Sequence, residues 1–218
     1  MSDWLTWQLV DSAFPMGTFA HSWGLEAAWH QGEVDSLDDL RSFLHASIQQ
    51  TGFTAMPLLT ACYQDPGDLE RLDALADAFL MNAVANRASR VQGRTLLATV
   101  ARIWPSEEIS TLKRRTMVGC THLAPLSGVV FRVLGLSLPV AQRVILYGGA
   151  RGVLAAAVRL GIAGSYEAQR LQYASIPWLD VVAERCGALT ADDIGQVAPI
   201  LDLLQAGHDR LYSRLFQS

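Results

Sequence analysis

Apolar residues recur at three- and four-residue steps along almost the whole chain, and the two-residue alternation of a half-buried strand is nearly absent. Leu37, Leu40, Phe43, Leu44, Ser47 and Ile48 mark one such face; Leu69, Leu72, Leu75, Ala76, Phe79 and Leu80 mark another. Gly and Pro punctuate the runs. A short first helix through Leu5, Leu9 and Val10 ends before Pro15, and a second reaches about Gln31 and stops at Gly32. Ser36 with Asp39 resembles a capping box opening a third, which Gly52 is expected to end, with a shorter helix carrying Leu58, Leu59 and Tyr63. Asp65 to Asp68 is a turn. Asn82 to Trp104 reads as one long helix closed by Pro105, and further segments fall at 109–118 and 120–136. Pro139 suits the first turn of a helix running to Leu160. Short helices follow at 166–173 and 178–186, and a Thr190–Asp193 box is expected to open a final helix towards Phe216, bent by Pro199. About ten helices with short connections predict a single-domain, all-α, compact helical bundle over residues 1–218.

Half of the 218 residues are hydrophobic and 17% are charged, with mean hydropathy +0.20. Either the core is large, or apolar surface remains that needs partners. A net charge of −4 supplies no basic excess for a phosphate backbone, which argues against nucleic-acid binding. Cys62, Cys120 and Cys186 are an odd number without paired spacing, which suits a reducing compartment. Met1-Ser2-Asp3-Trp4 does not begin a secretory signal, and the longest weakly charged stretch, Ser42 to Gln64, carries His45, Gln49, Gln50 and Pro57 and is no membrane span. A soluble cytoplasmic protein is expected.

The least ordinary stretch runs from Phe14 to Glu26. Pro15 biases Phe14 towards an extended conformation, Gly17 permits a turn, and Thr18 or Ser22 can cap the helix that follows. Glu26 then falls in a first helical turn, where the dipole favours a carboxylate. Two readings stand: a capped loop with a solvated acid, or a turn displaying His21, Ser22 and Glu26 on a surface.

Arg87, Arg90 and Arg94 share one face of the long helix, as a solvated stripe or as an interface for acidic groups. Gly93 costs a helix about 1 kcal/mol relative to Ala, which close helix approach would explain. Cys120-Thr121-His122 is two potential metal ligands without a second pair, and a buried Cys beside a structural His is the plainer reading. Ala155 to Ala157 suit close packing. No nucleophile spacing or phosphate loop is present.

Pro15 to Glu26 resembles Pro-x-Gly-x-Phe-[Ser/Ala]-His-Ser-x-Gly-Leu-Glu, the N-terminal signature of the urease accessory proteins called UreF. Arg87 to Arg94, with Ser89 and Gly93, resembles a second motif of that family, although Asn86 and Ala88 stand where an acid is usual. His122, Pro125, Gly128 and Leu134-Gly135-Leu136 resemble a third, with Leu126-Ser127 in place of Val-Phe; Ala155 to Gly161 and Gln169 also fit, although Ile162 to Ser165 replaces Leu-Gly-Gln-Thr. Asp202, His208-Asp209 and Arg214-Leu215-Phe216-Gln217-Ser218 resemble the family ending, with Asp209 for Glu.

The resemblance implies a non-enzymatic homodimer without a cofactor. It implies binding to the accessory protein UreD (also called UreH), recruitment of the GTPase UreG, and delivery of nickel to apo-urease. It implicates Glu26, with His21 and Ser22, in coupling to the GTPase, and Arg214, Leu215, Phe216 and Ser218 in docking UreD. Glu26 is expected to be exposed or half-exposed, and Leu215 and Phe216 not well buried. The rival reading is a metal protein or enzyme using His21, His122, His208 and the cysteines.

Overall fold

The computed structural model describes residues 3–117, 119 and 121–218. Among these, eleven α-helices and four short 3-10 turns form an all-α fold without strands. The helices are α1 (Trp4–Val10), α2 (Leu25–His30), α3 (Leu37–Gln64), α4 (Leu69–Phe79), α5 (Ala83–Ile103), α6 (Glu107–Arg115), α7 (Leu123–Val133), α8 (Leu138–Leu160), α9 (Ser165–Ala174), α10 (Ile176–Cys186) and α11 (Pro199–Ala206). No helix among the described residues is long and apolar enough to cross a membrane.

Two long helices are shared spines. The stretch of α3 up to Met56 and that of α8 from Leu146 onwards pack with α2, α9 and α10 around Leu44, Ile48, Met56, Leu146 and Val153. The remaining stretches pack with α1, α4, α5, α6 and α7 around Leu59, Leu72, Leu96, Ile109, Leu126 and Phe131. The high apolar fraction thus fills two clusters tied by α3 and α8.

The capping box of Ser36 and Asp39 opens α3 as expected, but Gly52 does not end it. A Cβ at Gly52 would lie 2.4 Å from Val182 Cγ1 and 3.0 Å from Cys186 Sγ, so this glycine admits α10. Pro57 does not end α3 either. Its missing N–H leaves the Phe53 carbonyl without an intrahelical donor, and the Gly195 N–H donates to it at 3.1 Å. Gln50 and Thr54 bind the same strap through the Gly195 carbonyl, and Gln50 Oε1 accepts from Val197 N and Ala198 N at 2.9 and 2.8 Å.

The end of the chain departs most from expectation. Thr190 and Asp193 do form a capping box, but it supports only a 3-10 turn over Ala191–Asp193. The strap over α3 follows, then α11, a 3-10 turn over Gly207–Arg210, and a non-helical tail from Leu211. The tail's backbone N–H groups are spent on a distant side chain, which a helix would not allow.

Gly93 fits its expectation of close approach. A Cβ there would lie 2.1 Å from the Thr121 carbonyl oxygen, at the segment leading into α7. That oxygen is backbone and cannot swing away. Gly93→Ala is therefore expected to destabilise by about 1–3 kcal/mol through overpacking, against the ~1 kcal/mol that helix propensity alone would gain. Thermal unfolding followed by circular dichroism checks this; a raised midpoint would show that the contact is not tight.

Candidate functional site

The Pro15–Glu26 turn is built against α5. The Pro15 carbonyl accepts from Thr99 Oγ1 at 2.8 Å, and Gly17 (φ 73°) faces Thr95. Trp23 (φ 59°) and Gly24 (φ 85°) are both left-handed, a conformation an L-residue such as Trp adopts only under constraint. Their reversal turns Ser22 and Glu26 inwards. Helix α2 starts at Leu25 with Gly24 as its N-cap and no side-chain cap, so Ser22 does not serve as one; Thr18 forms part of a 3-10 turn.

The expected display surface is instead an interior. His21, Ser22 and Glu26 are 3%, 0% and 1% exposed. What covers them is the tail. Glu26 Oε1 accepts from Leu215 N at 2.5 Å, and Oε2 accepts from Phe216 N at 3.3 Å and from His208 Nε2 at 2.9 Å. Ser22 N and Oγ both donate to the main-chain oxygen of Ser218, at 2.6 and 2.8 Å. His21 Nδ1 pairs with Ser218 Oγ at 2.6 Å, and Gln217 N donates to the Ala20 carbonyl at 2.8 Å. Phe216, expected to be poorly buried, is 6% exposed, while Leu215 does point outwards. The backbone N–H groups explain the difference: Glu26 draws the tail in, and only alternate side chains can follow.

Other motif residues brace this clasp. Arg87 donates to Asp209 at 2.8 and 3.3 Å, and Arg214 to the same carboxylate at 3.3 Å. The Arg87 hydrogen bond holds the Asp209 carboxyl below its usual range. The Arg159 guanidinium lies between the Phe19 and Phe216 rings, 4.3 and 4.2 Å from their centroids. Asp202 receives Gln196 at its carboxylate and Asn82 at its carbonyl, and burial pushes its carboxyl up. The arginine stripe divides: Arg87 serves the clasp, Arg90 lies 3.6 Å from Asp77, and Arg94 is exposed.

His122 belongs to a second buried network. Its N–H donates to Asp73 Oδ1 at 2.7 Å, and its ring pairs with Ser89 Oγ and Asp77 Oδ1, both at 3.1 Å. Ser89 Oγ also accepts from Leu123 N at 3.2 Å, so side chains of α4 and α5 satisfy the first N–H groups of α7. Asn86, which stands where the family usually has an acid nearby, donates to Asp77 and holds its carboxyl low. Sequence reasoning missed Asp73 and Asp77; four residues apart on α4, they share a face, which was the available signal.

Of the residues of the metal-site reading, His21 and His208 share the clasp, while His122 lies in the second network. Both ring nitrogens of His122 are engaged in this network. Burial pushes the Cys62 thiol up to about 12 and raises that of Cys186, while Cys120 lies outside the described residues. No group of three or more His, Cys, Asp or Glu among the described residues is arranged to hold a metal ion. Gln169 is exposed on α9, away from the clasp's hydrogen bonds.

Comparison with known proteins adds an independent observation. The UreF family model matches residues 34–176. The chain is 36% identical to urease accessory protein F of Arabidopsis thaliana over 224 residues, covering 99% of this chain and 92% of that protein. It is 34% identical to urease accessory protein F of Oryza sativa, covering 98% and 84%. It is 32% identical to urease accessory protein UreF of Trichodesmium erythraeum, covering 96% and 94%. These matches to whole proteins extend past the family model into both halves of the clasp.

Two outcomes follow. Glu26→Ala leaves the buried His208 ring and two tail N–H groups without their acceptor, and is expected to cost about 3–5 kcal/mol, where a surface acid would cost ~0.5 kcal/mol or less. Denaturant unfolding distinguishes the two. Burial, with His208 and Arg87 nearby, lowers the His21 pKa from 6.5 to about 4. The unfolded chain therefore takes up this proton first, so stability is complete above pH 6.5 and declines as pH falls towards 4. At 1.36 kcal/mol per unit the loss is on the order of 3 kcal/mol. Unfolding midpoints between pH 7.5 and 4.5 should show it, and His21→Gln should flatten the profile; equal slopes in both proteins would remove His21 as its source.

Proposed function

The chain belongs to the UreF family, and we propose that it is a homodimeric, cytoplasmic adaptor in urease maturation. On this reading it binds a UreD-type partner, recruits the UreG-type GTPase, and assists nickel delivery to apo-urease without catalysing a reaction itself. The observation that carries the reading is the clasp. The two stretches most specific to the family meet in one buried site whose donors and acceptors are largely spent on each other. Such a site shapes a surface.

The surface beside it suits protein contacts. Ile200 and Leu203 on α11, and Tyr212 and Leu215 on the tail, are exposed at 56%, 71%, 107% and 61%. Exposed apolar side chains of this kind, on the chain segment that carries Asp209 and Arg214 of the Arg87–Asp209–Arg214 ion pairs, fit the composition of a docking face. Glu26, His21 and Ser22 then act on partners by holding the tail in register. Arg214, Leu215, Phe216 and Ser218 divide their roles: Leu215 and Arg214 face outwards, Phe216 and Ser218 anchor. An adaptor of this kind influences a GTPase by binding its nucleotide states with different affinity.

Co-purification of the full chain with its UreD- and UreG-type partners tests the proposal, together with urease activation in cells lacking the gene. A chain that captures neither partner is not this adaptor. Leu215→Ser separates docking from folding, because it keeps the N–H to Glu26 and removes only an exposed side chain. Stability is expected to change by about 0.5 kcal/mol or less. Affinity for the UreD-type partner is expected to fall by the ~1.5–3 kcal/mol of a buried Leu. Undiminished affinity would place the docking face elsewhere.

A further inference from the structure

A concavity lies against the tail's Phe216. It is a cleft of about 580 Å³ between the turn from Ser12 to Phe19, the middle of α8 and the exposed end of α9. Gly152, Ala155 and Ala156 make a low floor, and no acidic side chain lines it among the described residues. The volume is that of a ligand-sized site.

The charge of the cleft is one-sided. Helix α8 carries Arg143, Arg151 and Arg159 at eight-residue intervals and no Asp or Glu. Arg151 and Arg159 line the cleft, with their α-carbons about 12 Å apart at 1.5 Å per residue. Arg151 is half-buried and has no hydrogen-bond or ion-pair partner among the described residues. Arg159 is fixed in place by Phe19 and Phe216 and donates to the Phe19 carbonyl, so most of its five N–H groups stay open. Gln169 and Gln172 add amide groups on the α9 wall. No carboxylate among the described residues lines the cleft with Arg151 and Arg159, so its lining charge is positive.

We propose that this cleft docks an acidic, extended segment of a protein partner, its carboxylates taken by Arg151 and by the free N–H edge of Arg159. Two arginines rooted about 12 Å apart on one helix, a span of about four extended residues, suit a strand-like peptide bearing acids near both ends. The inference rests on the adaptor reading above and names a contact which that reading leaves open. Because Phe216 forms one wall, the cleft has its full shape only when the tail is clasped, so an occupant favours the clasped state.

Arg151 is the clean probe, since replacing it breaks no intramolecular pair among the described residues. Full-length wild type, Arg151→Lys, Arg151→Gln and Arg151→Glu are titrated by calorimetry against the purified UreD-type and UreG-type partners separately, at low and high salt. The expected result is at least a tenfold loss of affinity for one partner in Arg151→Glu, a smaller loss in Arg151→Gln and near-retention in Arg151→Lys. The wild-type affinity should fall with salt more steeply than that of Arg151→Gln, while melting temperature and oligomeric state match wild type. If wild type binds a partner and all variants bind it within twofold, the cleft is not a docking site and the adaptor reading stands. If Arg151→Glu instead changes the oligomeric state, the occupant is a second copy of this chain and the proposal is overturned. If wild type binds neither partner, both readings fall together.

Discussion

A single carboxylate organises this protein's two ends. Glu26 is 1% exposed and accepts from the His208 ring and from two tail N–H groups, across 182 to 190 residues of sequence. A buried carboxylate is costly unless its oxygens are satisfied. The chain meets that cost by bringing backbone donors to it, and the donors come from a segment that has no helix to spend them on. The irregular tail and the buried acid therefore require each other. The left-handed Trp23–Gly24 reversal aims the acid, and Ser22 and His21 hold Ser218 two to three residues further along.

The same logic appears on the neighbouring face of the same end of α5. The N-terminus of α7 is capped by Asp73 and Ser89 from two other helices, and His122 joins them to Asp77. Burial raises the Asp73 carboxyl, whereas hydrogen bonds from Asn86 and His122 lower that of Asp77. Gly93 and Gly128 permit the backbone approach that these contacts need, against Thr121 and Leu59 respectively. An apolar bundle is packed at its joints by short polar networks, which fix the position of α5 relative to the tail and to α7. Arg87 and Ser89, two residues apart on α5, serve one network each.

Several readings from local pattern held, although the Thr190–Asp193 box opened only a 3-10 turn. The Ser36–Asp39 box, the Asn82 start and Trp104 stop of α5, and the Pro139 start and Gly161 stop of α8 all follow from neighbours within about four positions. Where the partner was distant, the reading failed at Gly52 and Glu26, although the close approach at Gly93 was foreseen. Gly52 and Pro57 look like helix breakers because their usual compensation is local; here it comes from α10 and from Gly195. Glu26 looks like a surface acid because nothing within a helical turn could satisfy it.

The amino-acid sequence by itself determined the all-α class, most helix limits and the family, because helical periodicity, caps and motif spacing are short-range properties written in consecutive residues. It also singled out the two ends as unusual. Only the tertiary structure decided that those ends are one site, that Phe216 anchors while Leu215 faces out, and that Arg87 clamps the tail through Asp209. The physical reason is that burial and hydrogen-bond satisfaction are settled between groups nearly two hundred positions apart, where local spacing carries no information about which donor meets which acceptor.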